Sequence, residues 1–187
     1  RKLAPARITG NTVVFKPSSD APLSGIRLVE ALEKAGIPAG VVNCVTGRAG
    51  EVGPVITNSS NIRAISFTGS TTAGAQIHRT VHLTTRLQME LGGKNPLPEM
   101  EDADLDLGGD LGVKGGFSPT GQACTGTSRI LVVPSVKAAF TEKLLARVAA
   151  LKIGDGMESG MDLGPLATEK QLQTVLKYIA IGKGEAR

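Results

Sequence analysis

Two residues of the right type for chemistry at a carbonyl carbon stand in contrasting local settings. Cys124 lies within FSPTGQACTGTSR (residues 117–129), where Gly121, Gln122, Gly126 and Ser128 make a tight polar loop rather than a core strand. Glu90 closes the run RLQME (residues 86–90), just ahead of Gly92 and Gly93. A thiolate adds to a carbonyl carbon, and a carboxylate can activate water against the adduct. In an extended segment Leu87, Met89 and Leu91 share one face, and Gln88 and Glu90 share the other. An exposed carboxylate at a strand end is commonplace, so the case for Glu90 rests on its pairing with Cys124.

Other candidates concern a bound nucleotide. GRAGEVG (residues 47–53) and GSTTAG (residues 69–74) each stand between a strand pattern and a helix pattern. Backbone amides at a helix start hold phosphate, and glycine permits close approach. Neither run has the G-x-G-x-x-G spacing, and a purely structural turn explains either one alone. Two on successive strands of one sheet favour a nucleotide site at its carboxyl edge. Lys16 follows a strand and precedes Pro17, within reach of ribose hydroxyls or phosphate, or simply solvated. His78 and His82 are four apart on an expected helix, but no third ligand stands at a suitable spacing, so no metal is expected.

The elements that must position these residues follow from the apolar pattern. Strands are expected near residues 12–15, 41–45, 64–68, 86–91 and 130–133. Helices are expected from Pro22 to about Gly36, over 51–58, from Gly69 to about His82, from the acidic run at 101–107, after a Ser135 cap, and over 166–179. The alternation with short connections predicts an α/β fold with a parallel sheet. The character changes after Gly92 and Gly93, which sets a domain boundary there. Pro98 and Glu99 suit a central strand poorly, and Gly108 and Gly109 weaken the helix expected after them.

Bulk properties set limits. The chain has 187 residues, of which 41% are hydrophobic and 3% aromatic, with no Trp and a net charge of +4. Charges are interleaved and aromatics scarce, so nucleic acid is not expected as a partner, and no segment approaches the length of a transmembrane helix, so neither is a membrane. The two cysteines read as free thiols of a reducing, cytoplasmic compartment, with Cys44 in the buried pattern VVNCV (residues 41–45) as a core filler.

Four runs occur in one order: GNTVVFKPS (10–18), FTGST (67–71), MELGGK (89–94) and GQACT (121–125), with DADL (102–105) and DLGP (162–165) in agreement. Together they resemble the aldehyde dehydrogenase superfamily across nearly the whole chain, and residues 114–129 resemble the oxoglutarate semialdehyde dehydrogenases. The resemblance implies a partial, Rossmann-like NAD(P)-binding domain over residues 1–92 and a partial α/β catalytic domain over 93–187. It implies Cys124 as the nucleophile that forms a thiohemiacetal and then a thioester. Glu90 would be the base that activates the hydrolytic water. Lys16 would contact ribose, Ser70 pyrophosphate, and Gly47 and Gly69 would line the cofactor groove. The implied partners are a small-molecule aldehyde and NADP or NAD, in a homo-oligomer (dimer or tetramer) of a longer parent.

Some residues depart from the family pattern. NAD-preferring relatives carry a carboxylate where this chain has Ser19, which points to acceptance of NADP with Lys16 or Arg48 as its partner, unless Asp20 supplies the carboxylate. The chain is expected to be an internal piece without the family's oxyanion asparagine, and inactive alone. Two further readings remain open at this point: an inert structural or interaction piece, and a cysteine-dependent hydrolase, which would need a base such as histidine beside Cys124.

Overall fold

A computed structural model of the chain describes residues 1–185. In chain order the elements are α1 (Leu3–Ile8), β1 (Val13–Phe15), α2 (Pro22–Lys34), β2 (Val42–Cys44), α3 (Ala49–Thr57), β3 (Ala64–Thr68), α4 (Thr71–Thr80), β4 (Arg86–Glu90), β5 (Asn95–Glu99), α5 (Leu105–Phe117), β6 (Thr127–Val132), α6 (Lys137–Ala149) and α7 (Glu169–Glu185). Three strand pairs, β1–β2, β3–β4 and β5–β6, are all parallel. A parallel pair cannot be closed by a hairpin, and here α2, α4 and α5 make the three crossovers. The fold is therefore α/β with parallel strands, as the alternating pattern predicted. The chain divides into two compact units, Arg1–Leu91 and Gly92–Arg187.

In the first unit the strands form two separate two-stranded ribbons rather than one continuous ladder among the described residues. Pro22 stands at the first turn of α2, where its missing N–H costs nothing, and Val29 on α2 and Val42 on β2 are buried. α4 is capped by Ser70, whose Oγ accepts from the Ala73 N–H at 3.2 Å. The helix stops at Thr80, so His82 lies beyond it and does not share a helical face with His78.

The second unit departs from expectation in an instructive way. β5 is a strand despite Pro96 and Pro98. The Glu99 carbonyl accepts from the Val133 N–H at 3.1 Å, so the backbone groups of Glu99 face β6. In a parallel ladder alternate residues face opposite edges, and both prolines therefore withhold their donors on the side away from β6. α5 likewise forms despite five glycines, at positions 108, 109, 112, 115 and 116. Asp104 starts it by accepting from the Asp106 and Leu107 N–H groups. The glycines lose helix propensity but allow close approach. A Cβ on Gly108 would fall 2.5 Å from the buried Glu99 carboxylate, and one on Gly115 would meet Thr127 Cβ at 3.1 Å. α6 begins after Val136 with no side-chain cap, because turns from Val133 and Pro134 occupy the chain before it; Ser135 is not the cap.

Phe140 of α6 is fully buried. Across the helix pair, Asp106 and Asp110 of α5 meet Lys143 and Arg147 of α6. Lys143 Nζ lies 2.7 Å and Arg147 Nη2 2.9 Å from the Asp106 carboxylate, and Arg147 Nε also bonds Asp110. Hydrogen bonds from Lys143 first, then Arg147, hold the Asp106 carboxyl below the usual carboxylate range.

The accessible surface is 13507 Å² for 19.3 kDa. A folded monomer of that mass exposes about 8,500 Å², and two independent domains of half the mass about 10,200 Å². Large apolar side chains make up part of the excess, including Leu83 and Met157, both more than nine-tenths exposed.

Two predictions follow from the packing of α5. Gly115→Ala should destabilise by about 1–3 kcal/mol through overpacking on Thr127, whereas Gly116→Ala should be neutral or stabilise by up to about 1 kcal/mol, both read by urea unfolding. The contribution of Asp106 should be complete above about pH 4, where the unfolded aspartate is ionised, and lost as pH falls through its depressed folded value. Asp106→Asn should flatten that acid limb of the stability profile and lower stability at pH 7.

Candidate active site

The candidate residues of the first unit lie at or just beyond the ends of its parallel strands, and Cys124 of the second lies in a loop. In the first unit Lys16 sits at the end of β1, half-buried, with Nζ donating to the Pro17 carbonyl at 2.9 Å. Ser19 Oγ donates to the Gly47 carbonyl at 3.1 Å, joining the turn after β1 to the turn after β2. Gly47 has φ +147°, a conformation L side chains rarely adopt, and a Cβ there would fall 2.5 Å from Val52. Lys16, Ser19 and Gly47 thus lie at the carboxyl ends of one ribbon.

Gly69 and Ser70 lie at the carboxyl end of the other. The Gly69 N–H donates to the Glu90 carbonyl at 3.1 Å, which pins the start of α4 to the end of β4. Both residues are exposed, and α4 presents its N-terminal amides beside them. Glu90 is exposed on the polar face of β4, as the alternation predicted, while Leu87 and Met89 are half-buried on the other. A chain of side-chain hydrogen bonds runs along that polar face. Lys2 Nζ donates to Ser66 Oγ at 2.7 Å, the Ser66 hydroxyl bonds Gln88 Oε1, and Gln88 Nε2 donates to the Glu90 carboxylate. The Ser66–Gln88 and Thr68–Glu90 register of β3 and β4 places these groups side by side.

In the second unit Cys124 is exposed and unpaired, in the loop between α5 and β6. The loop is closely held. The Gly121 N–H bonds the Phe117 carbonyl at 3.0 Å, the Gln122 N–H bonds that of Pro119 at 3.1 Å, and the Gly126 N–H bonds that of Ala123 at 3.1 Å. Thr120 has φ +55°, rare for a β-branched residue. Its hydroxyl donates to the Pro119 carbonyl and accepts from Gln122 Nε2. Gln122 Oε1 in turn accepts from the Ala167 N–H at 3.1 Å, which ties the loop to the segment before α7. Asn95, first residue of β5, donates from Nδ2 to the carbonyls of Cys124 at 2.8 Å and Gly126 at 3.0 Å.

Sequence reasoning singled out Cys124 but passed over Asn95. The available signal was a lone polar side chain opening a strand directly after GGK. Cys44 is half-buried on β2, beside Val42 and the α2 residues Ile26 and Val29. An apolar groove of about 740 Å³ in the second unit, lined by Pro98, Met100, Leu131 and Phe140 among others, contains neither Cys124 nor any other candidate residue. No helix among the described residues is long and apolar enough to cross a membrane.

Comparison with known proteins agrees with these motifs. Residues 1–187 match the aldehyde dehydrogenase family. The chain is 48% identical to a 2,5-dioxopentanoate dehydrogenase of Saccharolobus solfataricus over 97% of its own length and 38% of the relative's. It is 40% identical to an alpha-ketoglutaric semialdehyde dehydrogenase of Bacillus subtilis, over 98% and 38%. It thus spans about 38% of the length of these curated relatives. Among solved structures, a betaine aldehyde dehydrogenase of Staphylococcus aureus in complex with NAD+ aligns with a TM-score of 0.94 at 36% identity, over 99% of this chain and 37% of that one. An NADP-dependent enzyme of E. coli aligns with a TM-score of 0.96 at 39% identity, over 99% and 39%. With a match along its whole length, and its own cysteine loop and glycine-bearing strand ends, the chain belongs to the aldehyde dehydrogenase family.

Proposed function

We propose that this chain carries the nucleophile, the general base and part of the dinucleotide site of an NAD(P)-dependent dehydrogenase that oxidises a semialdehyde to a carboxylic acid. Residues 1–92 are the partial cofactor domain and residues 93–187 the partial catalytic domain. The observation that carries the reading is the exposed Cys124 thiol, presented by a loop that hydrogen bonds hold from both sides. The substrate class follows the names of the 2,5-dioxopentanoate and alpha-ketoglutaric semialdehyde dehydrogenases that the chain resembles.

In this reading the Cys124 thiolate forms a C–S bond to the aldehyde carbon, and the carbonyl oxygen takes a proton to give a thiohemiacetal. Loss of hydride from that carbon, together with release of the hydroxyl proton, leaves a thioester. The Glu90 carboxylate takes a proton from water as the water attacks the thioester, and the acid leaves as the C–S bond breaks. Hydrogen bonding from Gln88 would keep the Glu90 carboxylate in place for this step. A bound nicotinamide dinucleotide supplies the hydride acceptor.

The donors present suit such a cofactor. Lys16 offers an ammonium group, and Gly69 and Ser70 offer a helix N-terminus to a pyrophosphate. Ser19 brings no negative charge to the ribose site, so a 2′-phosphate is tolerated, with Lys16 or Arg48 as its counter-charge. A small aldehyde and a homo-oligomeric, cytoplasmic parent complete the reading.

The test uses the protein at its native length, with 2,5-dioxopentanoate and either NAD or NADP, following absorbance of the reduced nicotinamide. Cys124→Ala should abolish turnover. Glu90→Gln should slow it by about 10²–10⁴-fold while leaving a burst of reduced cofactor, because the thioester still forms. Ser19→Glu should shift the preference towards NAD by about tenfold or more. Full activity in Cys124→Ala would refute the reading. Turnover by the 187-residue chain alone is not expected, since it spans about 38% of its relatives' length and leaves large apolar side chains exposed.

A further inference from the structure

We propose that Asn95 is the positioning residue of the Cys124 loop, clamping the carbonyls on either side of Thr125 and so fixing the backbone from which the thiol projects. The proposal rests on Cys124 being the nucleophile, as argued above. It begins from an irregularity in the β5–β6 ladder. Asn95 pairs with Thr127, and the register then shifts between Asn95 and Pro96. Such a shift re-aims a side chain that regular alternation would direct elsewhere. Here the half-buried Asn95 side chain meets the loop leading into β6.

A carboxamide NH₂ has two N–H donors, and both are used. One reaches the Cys124 carbonyl at 2.8 Å and the other the Gly126 carbonyl at 3.0 Å. Because each peptide is planar and trans, fixing these carbonyls also fixes the N–H groups of Thr125 and Thr127, which point away from Asn95. The Cys124 backbone is thereby held on its C-terminal side, while Gln122 and Thr120 hold the loop on its N-terminal side. Gly93 borders the clamp: a Cβ there would lie in ordinary contact, 3.5 Å from Asn95 Oδ1 and 4.0 Å from the Cys124 carbonyl oxygen. Only a short side chain with two donors makes this double contact: aspartate would face two carbonyls with oxygens alone, and serine offers a single donor.

The experiment uses the protein at its native length, and neither readout depends on turnover. Iodoacetamide labelling is followed at each cysteine by peptide mass spectrometry, with Cys44 as the internal control. Amide hydrogen exchange is followed in residues 118–127, with α6 as the control. Asn95→Asp keeps the shape and removes the donors. It should raise exchange in the loop about tenfold and change the Cys124 labelling rate at least about threefold, with Cys44 and α6 unchanged. Asn95→Ser should fall between that variant and the parent. Loop exchange and Cys124 labelling equal to the parent's in Asn95→Asp would overturn the proposal. So would parallel changes at Cys44 and α6, which would mean general loosening. A parent chain whose Cys124 labels no faster than Cys44 would count against the nucleophile reading instead, and loop exchange would still decide whether Asn95 is the clamp.

Discussion

The close approach of α5 to the β5–β6 ribbon is the constraint on which the second unit depends. Side chains at positions 108, 112 and 115 would push the helix off Glu99, Ile130 and Thr127. The helix would then end elsewhere, and the loop that follows it would no longer meet Asn95 at the start of β5. Glycine is an unfavourable helix residue, by roughly 1 kcal/mol relative to alanine at each interior position. Its recurrence through α5 makes sense only if proximity to the sheet matters more than helix propensity. The ion pairs from Asp106 and Asp110 to α6 sit at the exposed edge of the same packing and add to it modestly.

How much of this was legible beforehand depends on the kind of signal. The parallel α/β pattern was readable because apolar runs such as residues 13–15 and 130–132 alternate with amphipathic segments. Glu90 fell on the polar face of β4 because a period of two leaves no choice once Leu87 and Met89 face inward. β5 was not expected because Pro98 and Glu99 suit a central strand poorly. The decisive fact is which edge a proline's missing donor faces, and that depends on a partner strand more than thirty residues away. Ser135 was misread as a cap for a similar reason: a serine before an amphipathic run resembles a helix start, but the backbone was already committed to turns from Val133 and Pro134. Asn95 and Gln122 owe their roles to tertiary contacts with no periodic trace.

The first unit collects its candidate residues at strand ends. Within each parallel ribbon the strands deliver their following turns to one edge, so Lys16 and Gly47 reach the carboxyl ends of β1 and β2, and Gly69 and Glu90 those of β3 and β4. Fine adjustment is then local: a serine hydroxyl joining two turns, a capping oxygen at Ser70, a glutamine amide steadying a carboxylate. Val29 and Val42 are buried in this unit, while large apolar side chains such as Leu23, Val55 and Leu83 are exposed. The exposed remainder fits a chain that spans about 38% of its relatives' length.

The two prolines of β5 have an effect unrelated to catalysis. An exposed sheet margin ordinarily recruits strands from neighbouring molecules by offering alternating donors and acceptors. On this margin Pro96 and Pro98 leave carbonyls with no matching amides, so an incoming strand would find half of the pairing code erased. Sticky side-chain contacts between copies remain available to the second unit, but ordered growth of a fibril from this border is disfavoured.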